Sequence, residues 1–300
     1  MELWIYITFA AALAQSLRFM LQKQLKSAGL STAGATFARF VFAAPLVALI
    51  AMSYAWFSGQ GLPKVSPVFF AYAIAGGTSQ ILATMCVVAL FSLRNFAVGI
   101  TFKKTEVLLS VLIGFVILGD AVTVPALIAI FIGLAGVLLL SDPPNATGRW
   151  HKRILNKAVA LGLLSGLLFG FSGVFYRGAS LSIAEGDTFY RATIAMMCVT
   201  AYQVLVMTAW LRWREAGEIG KVLVAWRKVA LTGLASMIGT MCWFSAFTLQ
   251  TAGYVNAVGQ VELIFSIAIG AMVFGERITA REWQGLLLLT GSIVLLVLVV

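Results

Sequence analysis

The sequence predicts an all-α integral membrane protein with ten transmembrane helices, arranged as two inverted five-helix repeats. Of the 300 residues, 61% are apolar and 11% are charged, and the mean hydropathy is +0.99. This balance is far from that of a soluble domain. The chain also repeats itself at an offset of 156 residues, so that Thr84 returns as Thr240 and Glu106 as Glu262. Both copies lie in runs apolar enough to cross a bilayer, which indicates a duplicated bundle of membrane helices.

Polar breaks divide the apolar residues into ten runs, each near the length of about 20 residues that a transmembrane helix needs. Barrel strands are excluded because these runs are too long, and an open sheet would leave backbone groups unpaired in lipid. The first run has no Lys or Arg ahead of it, as a cleaved secretory signal would need, so we expect an uncleaved span. The predicted helices cover residues 3–25, 33–57, 68–91, 96–118, 122–140, 157–181, 187–211, 229–249, 253–274 and 283–300.

The polar stretch near Asp142, Pro143 and Pro144 separates the two halves. We expect a first repeat at 1–141, a central loop at 142–156 and a second repeat at 157–300. Each repeat holds five spans, an odd number, so the second copy enters the membrane from the opposite side. Such inverted repeats place a site between the two halves, near the middle of the bilayer.

Several function classes are disfavoured by the composition and the motifs. The net charge of +10 comes mostly from residues at the ends of spans, which indicates membrane orientation rather than nucleic-acid binding. Cys86, Cys198 and Cys242 lie in apolar runs without paired or metal-ligand spacing. No zinc helix motif, phosphate loop or nucleophile elbow is present. We therefore expect neither an enzyme nor a protein with a metal or cofactor.

Charged residues inside apolar runs are the most specific signal, because burying a charge is costly and usually marks a pathway or an ion pair. Arg39 and Arg191 lie in the second helix of each half, at an offset of 152. They could pair with Glu106 and Glu262 and only hold the bundle together, or they could bind a substrate. The charges within the spans are Arg18, Arg39, Lys103, Lys104, Glu106, Arg177, Arg191 and Glu262.

The two glutamates and the two lysines predict different roles. Glu262 has no lysine beside it in the sequence, so we expect it to carry a proton better than Glu106, which a neighbouring lysine would hold ionised. Lys103 and Lys104 have no counterpart in the second half, where Gly259 and Gln260 stand. Positive charge on one side of a cavity favours an anionic or zwitterionic substrate.

Polar and aromatic residues on the third, fourth, eighth and ninth spans complete the expected lining of the site, which we predict to be a mainly apolar pocket with few polar groups. The candidate residues for substrate binding or ion coupling are Arg39, Gln80, Thr84, Lys103, Lys104, Glu106, Arg191, Trp243, Tyr254, Asn256, Gln260 and Glu262.

The segments from Glu106 to Thr123 and from Glu262 to Thr279 resemble the EamA domain of the drug/metabolite transporter superfamily. The first contains Leu118, Gly119 and Asp120, and the second Phe274, Gly275 and Glu276, near the end of each half's fourth helix. The resemblance implies two inverted five-helix repeats, a central cavity and alternating access for small metabolites. Many members have proline just after the glutamate, where this chain has Val107 and Leu263. A kink in the fourth or ninth helix is therefore not implied.

These observations predict a secondary transporter of the cell inner membrane that exports small metabolites such as amino acids by alternating access. Its expected partners are a small anionic or zwitterionic substrate, the lipid bilayer and protons as a candidate coupling ion. The alternative is a non-transporting membrane scaffold or lipid-handling protein, in which the buried charges serve only as structural pairs.

Overall fold

A computed structural model of the protein describes residues 2–93, 103–140, 157–265 and 280–300. The described residues form helices joined by turns and contain no strand. The predicted central loop at 142–156 lies outside them, as do residues 96–102 and 266–274 of the predicted fourth and ninth spans and the Gly275 and Glu276 motif.

Twelve helices occur in the described part of the chain. They are α1 (Leu3–Ser27), α2 (Thr32–Val41), α3 (Ala43–Phe57), α4 (Pro67–Leu90), α5 (Glu106–Leu118), α6 (Val124–Leu140), α7 (Lys157–Leu181), α8 (Thr188–Arg214), α9 (Glu218–Val224), α10 (Trp226–Leu249), α11 (Ala252–Val258) and α12 (Ala280–Val299).

Six helical segments in the described part of the chain are long and apolar enough to cross a membrane. They are α1, the pair α2–α3 taken together, α4, α7, α8 and α10, and three shorter apolar helices lie in α5, α6 and α12. The protein is therefore a multi-pass, all-helical membrane protein. The total of ten crossings stays a prediction.

The predicted helix at 33–57 is two helices, α2 and α3, that meet at Phe42. Pro45 lies four residues beyond Val41, and a proline ring clashes with the carbonyl of the residue four positions before it while offering no N–H. The regular helix therefore ends at Val41. Phe42 packs where Gly233 of α10 leaves room, since a Cβ on Gly233 would lie 2.7 Å from Phe42 Cβ.

Two further helix breaks lie at positions that differ by the repeat offset of 156 residues. One precedes α5, where the Val107 amide donates to the Lys104 carbonyl at 3.4 Å, and the other follows α11, where the Leu263 amide donates to the Gln260 carbonyl at 2.9 Å. Both hydrogen bonds span three residues, the tighter spacing typical of a 3₁₀ turn. Sequence reasoning did not predict these breaks, because neither glutamate is followed by proline.

Helix packing brings the broken segments to the centre of the bundle. The most extensive packing joins α4 to α7, α1 to α10 and α6 to α12, while α5 contacts both α7 and α11. The glycines of α7 allow close approach, since a Cβ on Gly166 would lie 2.8 Å from the Lys103 carbonyl oxygen and one on Gly170 3.3 Å from the Ser110 amide. The missing side chains therefore let α7 lie directly against the backbone around Lys103 and Ser110.

Candidate functional site

A narrow cavity lies at the centre of the helices, beside both helix breaks. Its volume is about 40 Å³, which holds a few water molecules and is too small for a metabolite unless the helices move apart. Charged and polar groups face it from several helices, and aromatic rings form much of the rest of its wall. The lining residues are Gln15, Gln80, Lys103, Glu106, Phe169, Ser172, Gly173, Tyr176, Thr240, Trp243, Phe247, Asn256, Gly259 and Glu262.

Two buried ion pairs lie at the helix breaks. Lys103 Nζ is 3.0 Å from Glu106 Oε1, and Lys104 Nζ is 3.1 Å from Glu262 Oε2. The first pair stays within the first half of the chain, whereas the second joins the two halves. Glu262 has no lysine beside it in the sequence, but Lys104 lies beside it in the structure. Sequence neighbours do not reveal this contact, which depends on α5 meeting α11.

A polar row on α1 extends the network from Glu262. Gln15 Nε2 donates to Glu262 Oε2 at 3.0 Å, and Arg18 Nη2 donates to Gln15 Oε1 at 3.2 Å. Arg18 Nη1 also donates to Gln22 Oε1 at 3.4 Å. Arg18 was expected as a charge within a span, but neither it nor the two glutamines is among the predicted site residues. The sequence does indicate this polar row, because positions 15, 18 and 22 share one face of a helix.

Arg39 on α2 is buried and is held mainly by hydroxyl groups. Its Nε donates to Ser236 Oγ at 3.0 Å, and its Nη1 and Nη2 donate to Thr84 Oγ1 at 2.9 Å and Thr240 Oγ1 at 3.2 Å. With its amide oxygen turned toward the guanidinium, Gln80 accepts from Nη2 at 2.8 Å. The hypothesis that Arg39 pairs with Glu106 is therefore wrong.

No carboxylate of the described residues lies within 4.0 Å of the Arg18 or Arg39 guanidinium. Both side chains are buried, at 2% exposure. Around the cavity, four buried cations therefore stand against the two glutamates of the ion pairs. The described site has an excess of positive charge.

Aromatic side chains form one wall of the cavity. Tyr176 stacks on Phe244 with ring centroids 4.2 Å apart, and Trp243 stacks on Phe247 at 5.5 Å. The Tyr176 hydroxyl contacts Gln80 and accepts from Gln203 Nε2 at 3.1 Å. Among the described residues, the buried Trp243 Nε1 has no hydrogen-bond acceptor. This wall therefore offers apolar surface with one free donor.

A second polar cluster lies beside the cavity residues Tyr176 and Phe247. Arg177, next to the cavity residue Tyr176, contacts Asp120 through its Nε at 3.0 Å. Its Nη1 donates to the carbonyls of Phe247 at 2.8 Å and Gln250 at 2.9 Å. Asp120 is placed by the turn at Gly119, whose φ of +69° favours glycine. Arg177 thus ties the ends of α5, α7 and α10 together.

Six of the twelve predicted site residues line the cavity, and two more lie directly behind it. Thr84 holds Arg39, and Lys104 pairs with Glu262. Gln260 donates to the Asn256 carbonyl at 3.2 Å. The six lining residues are Gln80, Lys103, Glu106, Trp243, Asn256 and Glu262.

Tyr254 and Arg191 lie elsewhere. The Tyr254 hydroxyl accepts from the Thr123 amide at 3.1 Å. Arg191 donates to the carbonyls of Gly186 at 3.0 Å and Ala184 at 3.3 Å, so the hypothesis that it pairs with Glu262 is wrong. Helices α2 and α8 begin 156 residues apart. The offset of 152 between Arg39 and Arg191 therefore misplaces Arg191 by about one helical turn.

The described residues contain no group of three or more His, Cys, Asp or Glu side chains able to hold a metal ion. Within the same part of the chain, all three cysteines are free thiols. The groups that face the cavity are charged side chains, hydrogen-bonding side chains and aromatic rings.

About half of this chain is similar to transporter sequences, and nearly all of it is similar to a solved structure. Residues 156–298 match the EamA-like transporter family. A Sinorhizobium protein described as an uncharacterized transporter in the cobO 3′ region is 24% identical over 135 residues, which cover 45% of this chain and 92% of the relative. A solved crystal structure, described only as that of a protein, matches 97% of this chain and 99% of its own with a TM-score of 0.66 and 15% identity. At that identity the likeness shows a shared fold alone.

Proposed function

Because residues 156–298 match the EamA-like transporter family, we propose that the protein is a secondary transporter that exports small metabolites by alternating access. Amino acids are the substrates we favour, because the cavity offers both carboxylates and cations to a zwitterion. The inner membrane and the export direction follow from the resemblance to the drug/metabolite transporters.

The excess of buried positive charge carries the proposal for the substrate. Arg18 and Arg39 have no described carboxylate within 4.0 Å, and Lys103 lines the cavity itself. An ammonium or guanidinium in a low-dielectric interior is costly, and a bound anion relieves that cost. An anionic or zwitterionic solute is therefore favoured over a cationic one.

Alternating access is supported by the arrangement of the helices. The 156-residue offset relates α4 to α10 and α1 to α7, so the packed pair α4–α7 corresponds to the packed pair α1–α10. The offset also relates the two helix breaks. In a transporter with inverted repeats, the two halves can exchange equivalent contacts as one rocks against the other. Broken helices around a central site are common in such transporters.

Protons are the coupling ion we propose, with the Lys104–Glu262 pair as the coupling element. This pair spans the two halves at 3.1 Å, so rocking of one half against the other would separate its partners. A carboxylate freed in this way can take up a proton before the pair closes again. Coupling would then depend on opening the pair.

The competing function is a scaffold or lipid-handling protein in which the ion pairs are structural. The observation that favours it is that Glu106 and Glu262 each have a lysine partner already. Exchange of Lys104 and Glu262 for each other discriminates the two functions. If the pair is purely structural, the exchanged variant should keep its fold and its activity. If the pair couples transport to protons, the exchanged variant should keep its fold and lose coupled flux.

Counterflow in proteoliposomes tests the proposal. Vesicles loaded with one unlabelled solute are diluted into the same labelled solute, across a panel of amino acids, organic anions and cationic drugs, with and without a proton gradient. We expect accumulation for an anionic or zwitterionic member of the panel. If no member accumulates and none moves under a proton gradient, the transport proposal fails.

A further inference from the structure

We propose that the groove between the end of α1 and the start of α10 binds the headgroup of an anionic phospholipid. The groove has a volume of about 730 Å³ and shares no lining residue with the central cavity. It opens at the end of the bundle where α1 and α8 finish and α10 begins. Ligand sites of this size are common in proteins.

The lining of the groove matches both the charged headgroup and the apolar acyl chains of a phospholipid. Leu25, Leu30, Val224 and Trp226 supply an apolar floor and rim. The cations Lys221, Arg227 and Lys228 also line it, and no acidic residue is among the lining residues. A phosphodiester can contact the cations while its acyl chains lie along the apolar side chains.

Arg227 and Lys228 are the described cations of this groove that have no carboxylate partner, and the Arg227 guanidinium lies 5.5 Å from the centroid of the Trp226 ring. Lys221 pairs with Glu218 at 3.0 Å, but no carboxylate of the described residues lies within 4.0 Å of Arg227 or Lys228. Trp226 is 53% exposed and Val224 is 85% exposed. An exposed tryptophan beside basic residues is typical of the membrane–water interface, where the headgroups lie.

The electrostatic field around the groove favours an anionic headgroup over a zwitterionic one. Glu215 and Glu218 are the carboxylates on the described elements that meet there, and both contact Ser31. Basic pockets between membrane helices are suited to acidic headgroups. The cations on these elements, the ends of α1 and α8, all of α9 and the start of α10, are Lys23, Lys26, Arg212, Arg214, Lys221, Arg227 and Lys228.

Native mass spectrometry of the full-length protein tests the site. The protein is equilibrated in detergent micelles with equal phosphatidylglycerol and phosphatidylcholine, and the bound lipid is counted. We expect preferential retention of phosphatidylglycerol, weakened about 30-fold in apparent affinity by Arg227→Gln with Lys228→Gln, given the contribution of each cation near the surface. The conservative pair Arg227→Lys with Lys228→Arg should restore retention.

The matched control is Arg212→Gln with Arg214→Gln, which removes two exposed cations from the same end without touching the groove. Retention should fall far less in this control, because Arg212 and Arg214 do not line the groove. Equal loss in both glutamine pairs, or equal binding of the two lipids to the unaltered protein, would overturn the site. Displacement of the lipid by millimolar inorganic phosphate would make free phosphate the ligand and would also overturn it. Because the assay measures no flux, its outcome is independent of the transport proposal.

Discussion

At the scale of single residues, each buried lysine beside the cavity has one carboxylate partner but faces different surroundings. Lys103 lines the cavity, whereas Lys104 lies behind it and reaches across to Glu262. Sequence reasoning treated the two as equivalent because they are adjacent. On a helix break, adjacent side chains point in different directions, and only a structure shows which one faces the cavity.

Replacing Lys103 by Gln should weaken transport of anionic and zwitterionic solutes about tenfold or more in KM, since a hydrogen bond to a charged group contributes about 1.5–3 kcal/mol. The change also leaves the buried Glu106 without its lysine, so transport is compared at equal amounts of folded protein. Counterflow rates of the variant measure the effect, with Lys103→Arg as the control that keeps the charge. Unchanged transport in Lys103→Gln would mean that Lys103 does not contact substrate, and the anion preference would be abandoned.

Replacing Lys104 by Gln should instead destabilise the fold. The change leaves Glu262 buried without its lysine, and breaking a buried pair by removing one partner costs about 3–5 kcal/mol. Unfolding titrations in mixed micelles measure this loss. The double variant Lys104→Gln with Glu262→Gln removes both charges and should recover much of the stability. A double variant no more stable than the single one would show that the pair contributes little.

At the scale of helices, the breaks before α5 and after α11 bring the charges together, and the turns at the bundle ends hold the helices in place. Glu218 on α9 is one such anchor. Burial alone would raise the pKa of its carboxyl, but hydrogen bonds from Ser31 and Lys221 outweigh burial and lower the pKa below its ordinary value. The ionised form therefore stabilises the contact between α9 and the α1–α2 turn.

The lowered pKa of Glu218 predicts an acid sensitivity. A carboxyl with a depressed folded-state pKa contributes stability that is present above its unfolded value of about 4.3 and is lost as the pH falls through the folded-state value. Melting temperatures in detergent from neutral pH to below pH 4 should fall more for the unaltered protein than for Glu218→Gln. Parallel curves for the two proteins would show that this carboxylate does not stabilise the fold.

The Arg177 cluster, near the C-terminal end of α7, is the second anchor. Arg177→Gln removes the ion pair with Asp120 and weakens two bonds to carbonyls at the end of α10. We expect faster hydrogen–deuterium exchange at the amides from Phe247 to Gln250. Arg191→Gln is the control, since the bonds of Arg191 go to carbonyls of the α7–α8 connection, and it should leave that exchange unchanged. Equal exchange in all three proteins would contradict the anchoring role of Arg177.

At the scale of the whole molecule, the sequence predicts a helical membrane protein and much of its site, but not which side chains pair with one another. Helical membrane architecture and the equivalence of Glu106 and Glu262 follow from hydropathy and self-similarity. The Lys104–Glu262 contact does not, because one sequence cannot show which helices cross. The repeat register at Arg191 was misjudged by one turn. Arg18 with its two glutamines was recognisable as a polar face and was missed.

The central claim is that one cavity opens to the two sides of the membrane in turn. A single cysteine at Ser172, which lines the cavity, tests it in a background with Cys86, Cys198 and Cys242 replaced by alanine. Proteoliposomes are treated with an impermeant thiol reagent from outside or from inside, with and without a solute that undergoes counterflow. We predict labelling from both sides, at rates that the solute shifts in opposite directions. Labelling from one side only, unaffected by the solute, would contradict alternating access.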